Sequence, residues 1–292
     1  MEKRRETIER ELRKALERGM EALLRGNALD AVVEAVTYME ECGEFNAGKG
    51  AVVNAAGEVE LDAGVMWGPT LDVGAVGGLK GYWNAVRLAR IVMEETDHVL
   101  LTSEGAAKLA EKYGLEKHPG VHPRIEAARE YVWREFVEGR YRWSKNIELV
   151  KSLGYSTVGA VALDREGNLA AASSTGGIWF KLPGRLGDTP IPGAGFYADR
   201  SAASSATGQG EYIARYLLTA RVSWKVRAGL SLREAVREVV KEMTKMFGDD
   251  TAGVIAVDSK GNYEYAANTQ VFIRGLHKGG KVRTALLSSE GL

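Results

Sequence analysis

Apolar side chains recur at helical spacing over the first 42 residues of the chain. Between residues 1 and 26, leucine, isoleucine and methionine stand three or four positions apart with charged residues between them, which predicts an amphipathic surface helix. Gly26 and Asn27 interrupt this pattern, and a second helix is predicted from Leu29 to about Cys42. The valines of this second helix face inward, so it is expected to pack against a core.

Small residues, glycines and short apolar runs replace the helical pattern after Gly43 and predict strands. One hairpin is expected at 51–61, around a turn at 54–57. Helices are predicted further on, at about 81–95, 102–112 and 123–137. The segment 117–154 carries dense charge and many aromatics, and is interpreted as a partly helical surface connection between two halves.

Two hairpins of similar layout are predicted in the second half, at 157–175 and 253–267. The helices predicted between them are 210–227 and 232–246. The second of these helices begins with Ser231 and Glu234, which have the spacing of a capping box. Hairpins separated by paired helices, with small residues that let layers approach closely, predict an α+β layered fold with a boundary near residue 156.

Composition and charge narrow the class of protein. Apolar residues make up 45% of the 292 positions, which is enough for a sizeable core. Lys and Arg equal Asp and Glu at 39 each, so nothing indicates attraction to nucleic acid or to a membrane surface. The single Cys42 excludes an intramolecular disulfide framework, and the charged N-terminus lacks the apolar core of a signal peptide. We expect one cytoplasmic domain over 1–292, and the scarcity of Gln favours a thermophilic source.

Two motifs that suggest a ligand are set aside. The glycines of 74–81 precede a helix, but their spacing matches neither the dinucleotide fingerprint nor the phosphate-binding loop of nucleotide-binding proteins. His118 and His122 lie four positions apart, but Pro119 and Pro123 prevent a continuous helix from presenting both to a metal ion. Nucleotide and histidine-bound metal sites are therefore not expected.

The stretch 155–211 concentrates hydroxyl side chains and glycines. Its segments are 156–159, 173–177, 184–195 and 206–211. Glycines let backbone N–H groups approach a ligand closely. Arg185 and Asp188 offer a fixed cation and a fixed anion that could hold the α-carboxylate and the α-ammonium group of an amino acid. The alternative for this pair is a surface salt bridge.

This stretch resembles the plant-type asparaginases and isoaspartyl peptidases, which are N-terminal-nucleophile hydrolases. The resemblance runs from about Asn27 to the C-terminus, and further matching segments are 45–50, 60–63, 74–76 and 268–269. It implies an α+β fold, a four-layer αββα sandwich, and a homodimer of cleaved protomers. It also implies conversion of L-asparagine to L-aspartate and ammonia, and hydrolysis of β-aspartyl dipeptides, both small-molecule substrates.

Family members cut themselves immediately before a threonine. Carried over to this chain, the scissile bond joins Ser156 to Thr157, giving an alpha subunit of 1–156 and a beta subunit of 157–292. Cleavage would free the α-amino group of Thr157 to act as the general base for its own hydroxyl. The resemblance places Asn46 near this bond.

The resemblance also implies the other catalytic roles. Thr207 and the backbone N–H of Gly208 would form the oxyanion hole, and Thr175 would orient the nucleophile. Catalysis would need no cofactor.

The resemblance also implies which residues bind the substrate. Arg185 would hold the α-carboxylate, while Asp188 and the carbonyl of Gly210 would hold the α-ammonium group, with Gly208 beside them. A structural sodium ion would be bound by backbone carbonyls of the loop after the second helix, from Met39, Glu40, Cys42, Phe45, Ala47 and Lys49.

Two features depart from the family pattern. The sequence starts at Met1 in helix-like residues, without the family's N-terminal strand and His-Gly-Gly-Ala-Gly segment, so neighbouring strands are expected to keep unpaired backbone groups. The residue before the nucleophile is Ser156, where the family usually has Gly or Asp. One alternative is therefore a folded but uncleaved and catalytically impaired variant, truncated or engineered. A glycosylasparaginase-like amidase is the enzymatic alternative, although 174–177 is more similar to the plant-type enzymes.

Overall fold

The structure is a computed structural model, and it describes residues 2–138 and 157–292. Helices α1 (Glu2–Arg25) and α2 (Ala28–Glu41) confirm the predicted N-terminal pair. Asn27 accepts from two amides at the start of α2, and Asp30 accepts from the Asn27 N–H, which completes a capping box. This cap explains why the chain turns and begins a new helix after Arg25.

The remaining elements alternate helices with short strands. The helices are α3 (Ala85–Glu95), α4 (Ser103–Lys112), α5 (Pro123–Val137), α6 (Gly210–Tyr216), α7 (Leu218–Arg227) and α8 (Leu232–Phe247). The strands are β1 (Leu61–Trp67), β2 (Asp72–Leu79), β3 (Leu100–Thr102), β4 (Val158–Leu163), β5 (Leu169–Thr175), β6 (Phe196–Ala198), β7 (Ala202–Gly208), β8 (Ala252–Asp258), β9 (Tyr263–Ala267), β10 (Val271–Lys278) and β11 (Lys281–Leu287). No helix in the described ranges has the length and hydrophobicity of a transmembrane span.

The single helix predicted at 210–227 is wrong, because the structure breaks it at Leu217. Leu217 adopts a left-handed conformation with φ of 55°, so α6 ends and α7 begins at this residue. Arg221 Nε donates to the Tyr216 carbonyl, and the N–H of Ala220 donates to the Gly193 carbonyl. The start of α7 is therefore held by a loop distant in sequence.

The hairpin predicted at 51–61 is reduced to a tight turn. Val53 and Val59 form an isolated bridge, while the Asn54 side chain accepts from the N–H groups of Ala56 and Glu58. The hairpins β4–β5 and β8–β9 and the capping box of Ser231 with Glu234 are confirmed. Sequence reasoning missed the C-terminal hairpin β10–β11.

The strands form a five-stranded sheet in the order β3-β2-β1-β5-β4 and a four-stranded sheet in the order β6-β7-β8-β9. Helices α2 and α3 pack against the first sheet, α7 and α8 pack against the second, and the two sheets contact each other through β4, β5 and β7. A Cβ added to Gly159 in β4 would lie 2.0 Å from Ser205 Oγ in β7, so a small residue is required at this contact. The predicted α+β class is confirmed.

Strand β4 lies at one edge of the five-stranded sheet. Beside this edge is a cavity of about 330 Å³, lined by α1, β4, β8, β9 and β10. In the part of the chain that the structure describes, β4 has no strand partner on this side. The cavity is thus bounded by the edge strand β4 and by β10, a strand of the separate hairpin β10–β11.

Glu40 is a fully buried carboxyl group in α2, against the five-stranded sheet. Its Oε1 accepts from Ser174 Oγ at 2.6 Å and from the Val86 N–H at 3.0 Å. Removal from water raises the pKa of Glu40 from 4.5 to about 8, because burial disfavours the charged form more than these donors favour it.

This raised pKa predicts a pH-dependent effect of Glu40→Gln. A carboxyl group whose pKa is raised in the folded state makes stability fall as pH rises from 4.5 to about 8. The neutral amide removes this dependence, so the melting temperature of the variant relative to the parent should be at least about 5 °C higher at pH 8.5 than at pH 5. Thermal melts at both pH values measure the difference. Glu41→Gln, which changes an exposed neighbour, is the control, and an equal gain for Glu40→Gln at pH 5 would contradict the assignment.

Candidate active site

Thr157 immediately precedes strand β4 and lies beside the end of β5. Val158 pairs with Ser174, so Thr157 and Thr175 are neighbours at the same end of two paired strands. The hydroxyl oxygens of Thr157 and Thr189 are 3.5 Å apart. Ser156 lies outside the described residues.

Asn46 and Thr175 fix the turn that follows β5. Thr175 Oγ1 accepts from the Gly177 N–H at 3.0 Å. Asn46 Nδ2 donates to the Gly177 carbonyl at 2.7 Å, and its backbone carbonyl accepts from the Gly176 N–H. The structure thus brings both predicted residues to one turn, and both side chains are buried.

Thr207 and Gly208 end strand β7 in the second sheet. Thr207 Oγ1 is buried and has no hydrogen-bond partner among the described residues. Gly208 has φ of 144°, and a Cβ at this position would lie 2.2 Å from the Thr251 carbonyl oxygen. Glycine is therefore required here, and within the described ranges the adjacent Thr207 hydroxyl has no acceptor for its proton.

The close approach of Gly159 in β4 to Ser205 in β7 shows which way the side chains of Thr157 and Thr207 face. Side chains two positions apart on a strand point to the same face. Thr157 therefore shares the face of Gly159, and Thr207 shares the face of Ser205. Both threonines are on the faces that the two sheets turn toward each other.

Arg185 and Asp188 converge on Gly210. A Cβ on Gly210 would lie 2.8 Å from Asp188 Oδ1 and 2.9 Å from Arg185 Nη2. Arg185 forms its salt bridge with Glu211, through Nη2 at 2.7 Å. Asp188 is buried, and its Oδ2 has no hydrogen-bond partner within 2–138 and 157–292. A cation and a buried carboxyl group thus lie side by side next to Gly210, where only a residue without a side chain fits.

Burial raises the pKa of Asp188 to about 7. The positive charge of Arg185 partly offsets this rise, while the negative charges of Asp62 and Glu211 add to it. Near neutral pH the carboxyl group is therefore partly protonated. A bound ammonium group would favour the charged form.

The raised pKa of Asp188 predicts that affinity for an amino-acid ligand increases with pH. Only the carboxylate pairs with an ammonium group, so the Kd for L-aspartate should fall on the order of tenfold from pH 5.5 to pH 8. Isothermal titration calorimetry measures this. Asp188→Asn should bind weakly at both pH values, and a parent Kd that does not change with pH would contradict the role of Asp188.

Sequence reasoning missed the partners of these residues. Thr189 directly follows Asp188, and its buried hydroxyl contacts Thr157. Glu211 ends the segment 206–211 and pairs with Arg185. Thr189 and Glu211 both lie inside segments that the sequence analysis had singled out, and this could have pointed to them. Their contacts could not be predicted, because they depend on the tertiary fold.

The loop of the expected sodium ion follows α2. Met39 and Glu40 lie in the last turn of α2, where helix carbonyls lack intrahelical partners. A Cβ on Gly50 would lie 2.3 Å from the Phe45 carbonyl oxygen, so the loop is tightly wound. Its other expected ligands are Cys42, Ala47 and Lys49. No group of three or more His, Cys, Asp or Glu side chains in the described ranges could hold a metal ion. The groups that could bind an ion here are backbone carbonyl oxygens, which suit a hard monovalent cation. The sodium ion stays a prediction.

The described residues thus include a threonine hydroxyl at a strand end, a second, buried threonine hydroxyl that has no hydrogen-bond partner among them, and a cation–anion pair beside Gly210. The chain matches the family model described as Asparaginase over residues 1–287. It belongs to the asparaginase family, and is a hydrolase.

Curated relatives carry two related names. The chain is 46% identical over 288 residues to a plant-type L-asparaginase of Pyrobaculum calidifontis, covering 98% of this chain and 95% of the relative. It is 44% identical over 264 residues to a plant-type L-asparaginase of Thermococcus kodakarensis, covering 89% and 86%. It is 43% identical over 240 residues to an isoaspartyl peptidase/L-asparaginase of Bos taurus, covering 82% and 76%.

Proposed function

We propose that this protein hydrolyses L-asparagine to L-aspartate and ammonia, and also hydrolyses β-aspartyl dipeptides, with Thr157 as the nucleophile. The observation that carries the proposal is the convergence of Arg185 and the buried Asp188 on Gly210. A guanidinium group binds a carboxylate through parallel hydrogen bonds, and a buried carboxylate binds an ammonium group. These are the two charged groups of an amino acid. The names of the relatives support the same substrates.

Self-cleavage before Thr157 is part of the proposal. A threonine hydroxyl is a poor nucleophile at neutral pH, and an amino group with a pKa of roughly 7.7–8 can accept its proton. Cleavage after residue 156 would supply this amine on Thr157 itself. The hydroxyl then attacks the side-chain amide carbon of the substrate, and ammonia or an amino acid leaves. Water releases aspartate from the acyl-enzyme.

The oxyanion formed during attack needs donors that are already in place. Thr207 Oγ1 is a buried hydroxyl without another acceptor in the described part of the chain, and Gly208 provides an adjacent N–H. Thr175 and Thr189 flank Thr157 and would orient its hydroxyl. Asn46 would hold the turn after β5 during cleavage.

The fold and assembly are proposed from the same family relation. Helices pack on the outer face of each sheet, and the two sheets pack on each other. This order of layers supports the four-layer αββα sandwich. We propose one domain that becomes subunits 1–156 and 157–292, assembled as a cytoplasmic homodimer. Relatives from Pyrobaculum and Thermococcus support a thermophilic source. A structural sodium ion at the end of α2 is proposed from the carbonyl donors described above.

The test is a substrate panel with purified protein. L-asparagine and β-aspartyl-leucine should both release L-aspartate, measured by a coupled enzymatic assay. L-glutamine, one methylene longer, should not be hydrolysed. Thr189, the residue after Asp188, contacts Thr157, and this contact sets the spacing between the nucleophile and the substrate clamp formed by Arg185 and Asp188. Hydrolysis of glutamine without hydrolysis of asparagine would overturn the substrate assignment.

A further inference from the structure

We infer that Glu60 and Lys181 are positioning residues for the substrate-binding segment 184–188. The inference rests on the proposed function, since it concerns the site that holds the amino acid. Glu60 and Lys181 are not among the residues proposed to contact the substrate, and both are buried. Their role would be to set the position of Arg185 and Asp188 relative to the nucleophile.

Glu60 binds the start of the segment. Both of its carboxylate oxygens lie 3.1 Å from the backbone nitrogen of Gly184, which donates to them. Gly184 has φ of 82°, so the chain turns sharply there, one residue before Arg185. The side chain of Glu60 is 3% exposed, and Lys80 Nζ lies 3.4 Å from it. A charged acceptor thus fixes the turn that aims Arg185.

Lys181 ties the same segment to strand β1 at a second point. Its Nζ donates to the Glu60 carbonyl at 3.1 Å and lies 3.7 Å from Asp62 Oδ2. Burial lowers the pKa of Lys181 and raises that of Asp62, because both charges are removed from water. Asp62 in turn accepts from the Gly78 N–H at 2.8 Å.

These contacts connect the clamp to the nucleophile through one strand. Asp62 in β1 pairs directly with Thr175 in β5, which lies beside Thr157. Lys181 also packs against the turn after Thr175, since a Cβ on Gly177 would lie 2.8 Å from Lys181 Cδ. The start of β1 therefore contacts both the turn beside the nucleophile and the segment that binds the substrate. A small displacement of Arg185 and Asp188 should therefore reduce the affinity for the substrate.

The test compares substitutions at Glu60. Glu60→Ala removes the acceptor for the Gly184 N–H and should raise the KM for L-asparagine about tenfold, with kcat within about twofold of the parent. Glu60→Gln keeps a neutral oxygen acceptor and should restore KM to within about threefold. Glu58→Gln, at an exposed residue that also pairs with Lys80, is the matched control and should leave KM unchanged. Chain cleavage should be unaffected in all three variants.

The outcomes separate this inference from the proposed function. An unchanged KM in Glu60→Ala, or equal rises in Glu60→Ala and Glu60→Gln, would overturn the positioning role. If Glu60→Ala does not fold, Glu60→Asp keeps the charge but shortens the side chain, and its KM must then rise. A parent protein that does not hydrolyse asparagine would instead refute the proposed function. In that case the Kd for L-aspartate in the same variants tests the positioning role.

Discussion

Thr157→Ala is expected to abolish both chain cleavage before residue 157 and hydrolysis of L-asparagine. The substitution removes the hydroxyl that is proposed to attack the peptide bond in the precursor and the amide in the substrate. Loss of a covalent nucleophile lowers the rate by at least about 10⁴-fold. Intact mass and aspartate release, measured on the same preparation, report the two losses separately.

Two substitutions serve as controls for Thr157→Ala. Thr157→Ser retains a hydroxyl and should keep measurable cleavage and hydrolysis. Thr189→Val removes the neighbouring hydroxyl at 3.5 Å and should lower the rate without abolishing it, because this hydroxyl is proposed to orient the nucleophile. Release of aspartate by Thr157→Ala at the parent rate would show that the nucleophile is elsewhere.

Gly210→Ala should reduce kcat/KM for L-asparagine at least about 100-fold, chiefly through KM. The added methyl group would lie within 3 Å of both Asp188 Oδ1 and Arg185 Nη2, which is closer than van der Waals contact allows. It would therefore displace one or both of the groups that are proposed to hold the amino acid. Steady-state kinetics give KM, and intact mass shows whether cleavage is retained.

Gly105→Ala is the matched control for Gly210→Ala. Gly105 lies in helix α4, and a Cβ there meets nothing within 4 Å, so the substitution should leave kinetics unchanged. A parental KM in Gly210→Ala would contradict the assignment of Arg185 and Asp188 as the substrate clamp. Loss of cleavage in Gly210→Ala would instead indicate that the substitution disturbs the fold around Thr157.

Much of the local structure could be predicted because its causes are local. The amphipathic pattern and the break at Gly26 and Asn27 predicted α1 and α2, and the spacing of Ser231 and Glu234 predicted the start of α8. The break at Leu217 could not be predicted this way, since a leucine is not expected in a left-handed conformation. It depends on bonds from α7 to a loop about 27 positions earlier, including that from Ala220 to Gly193.

The candidate site divides in the same manner. Arg185 and Asp188 could be singled out from the local sequence as a cation and an anion in a loop stiffened by glycine and proline, whereas Thr157 and Thr207 were singled out through the resemblance of their segments to the family. Lys181 could not, because its partner Asp62 lies in β1, and no local pattern links two residues so far apart. The hairpin β10–β11 was missed although Gly279 and Gly280, both with positive φ, marked its turn.

The central claim is that Thr157 becomes an N-terminal nucleophile. The most direct test is the intact mass of the purified protein after prolonged incubation near its working temperature, with sequencing of any new N-terminus. Two chains are expected, residues 1–156 and 157–292, with threonine first in the second. A single uncut chain of 292 residues that nevertheless hydrolyses asparagine would contradict the central claim.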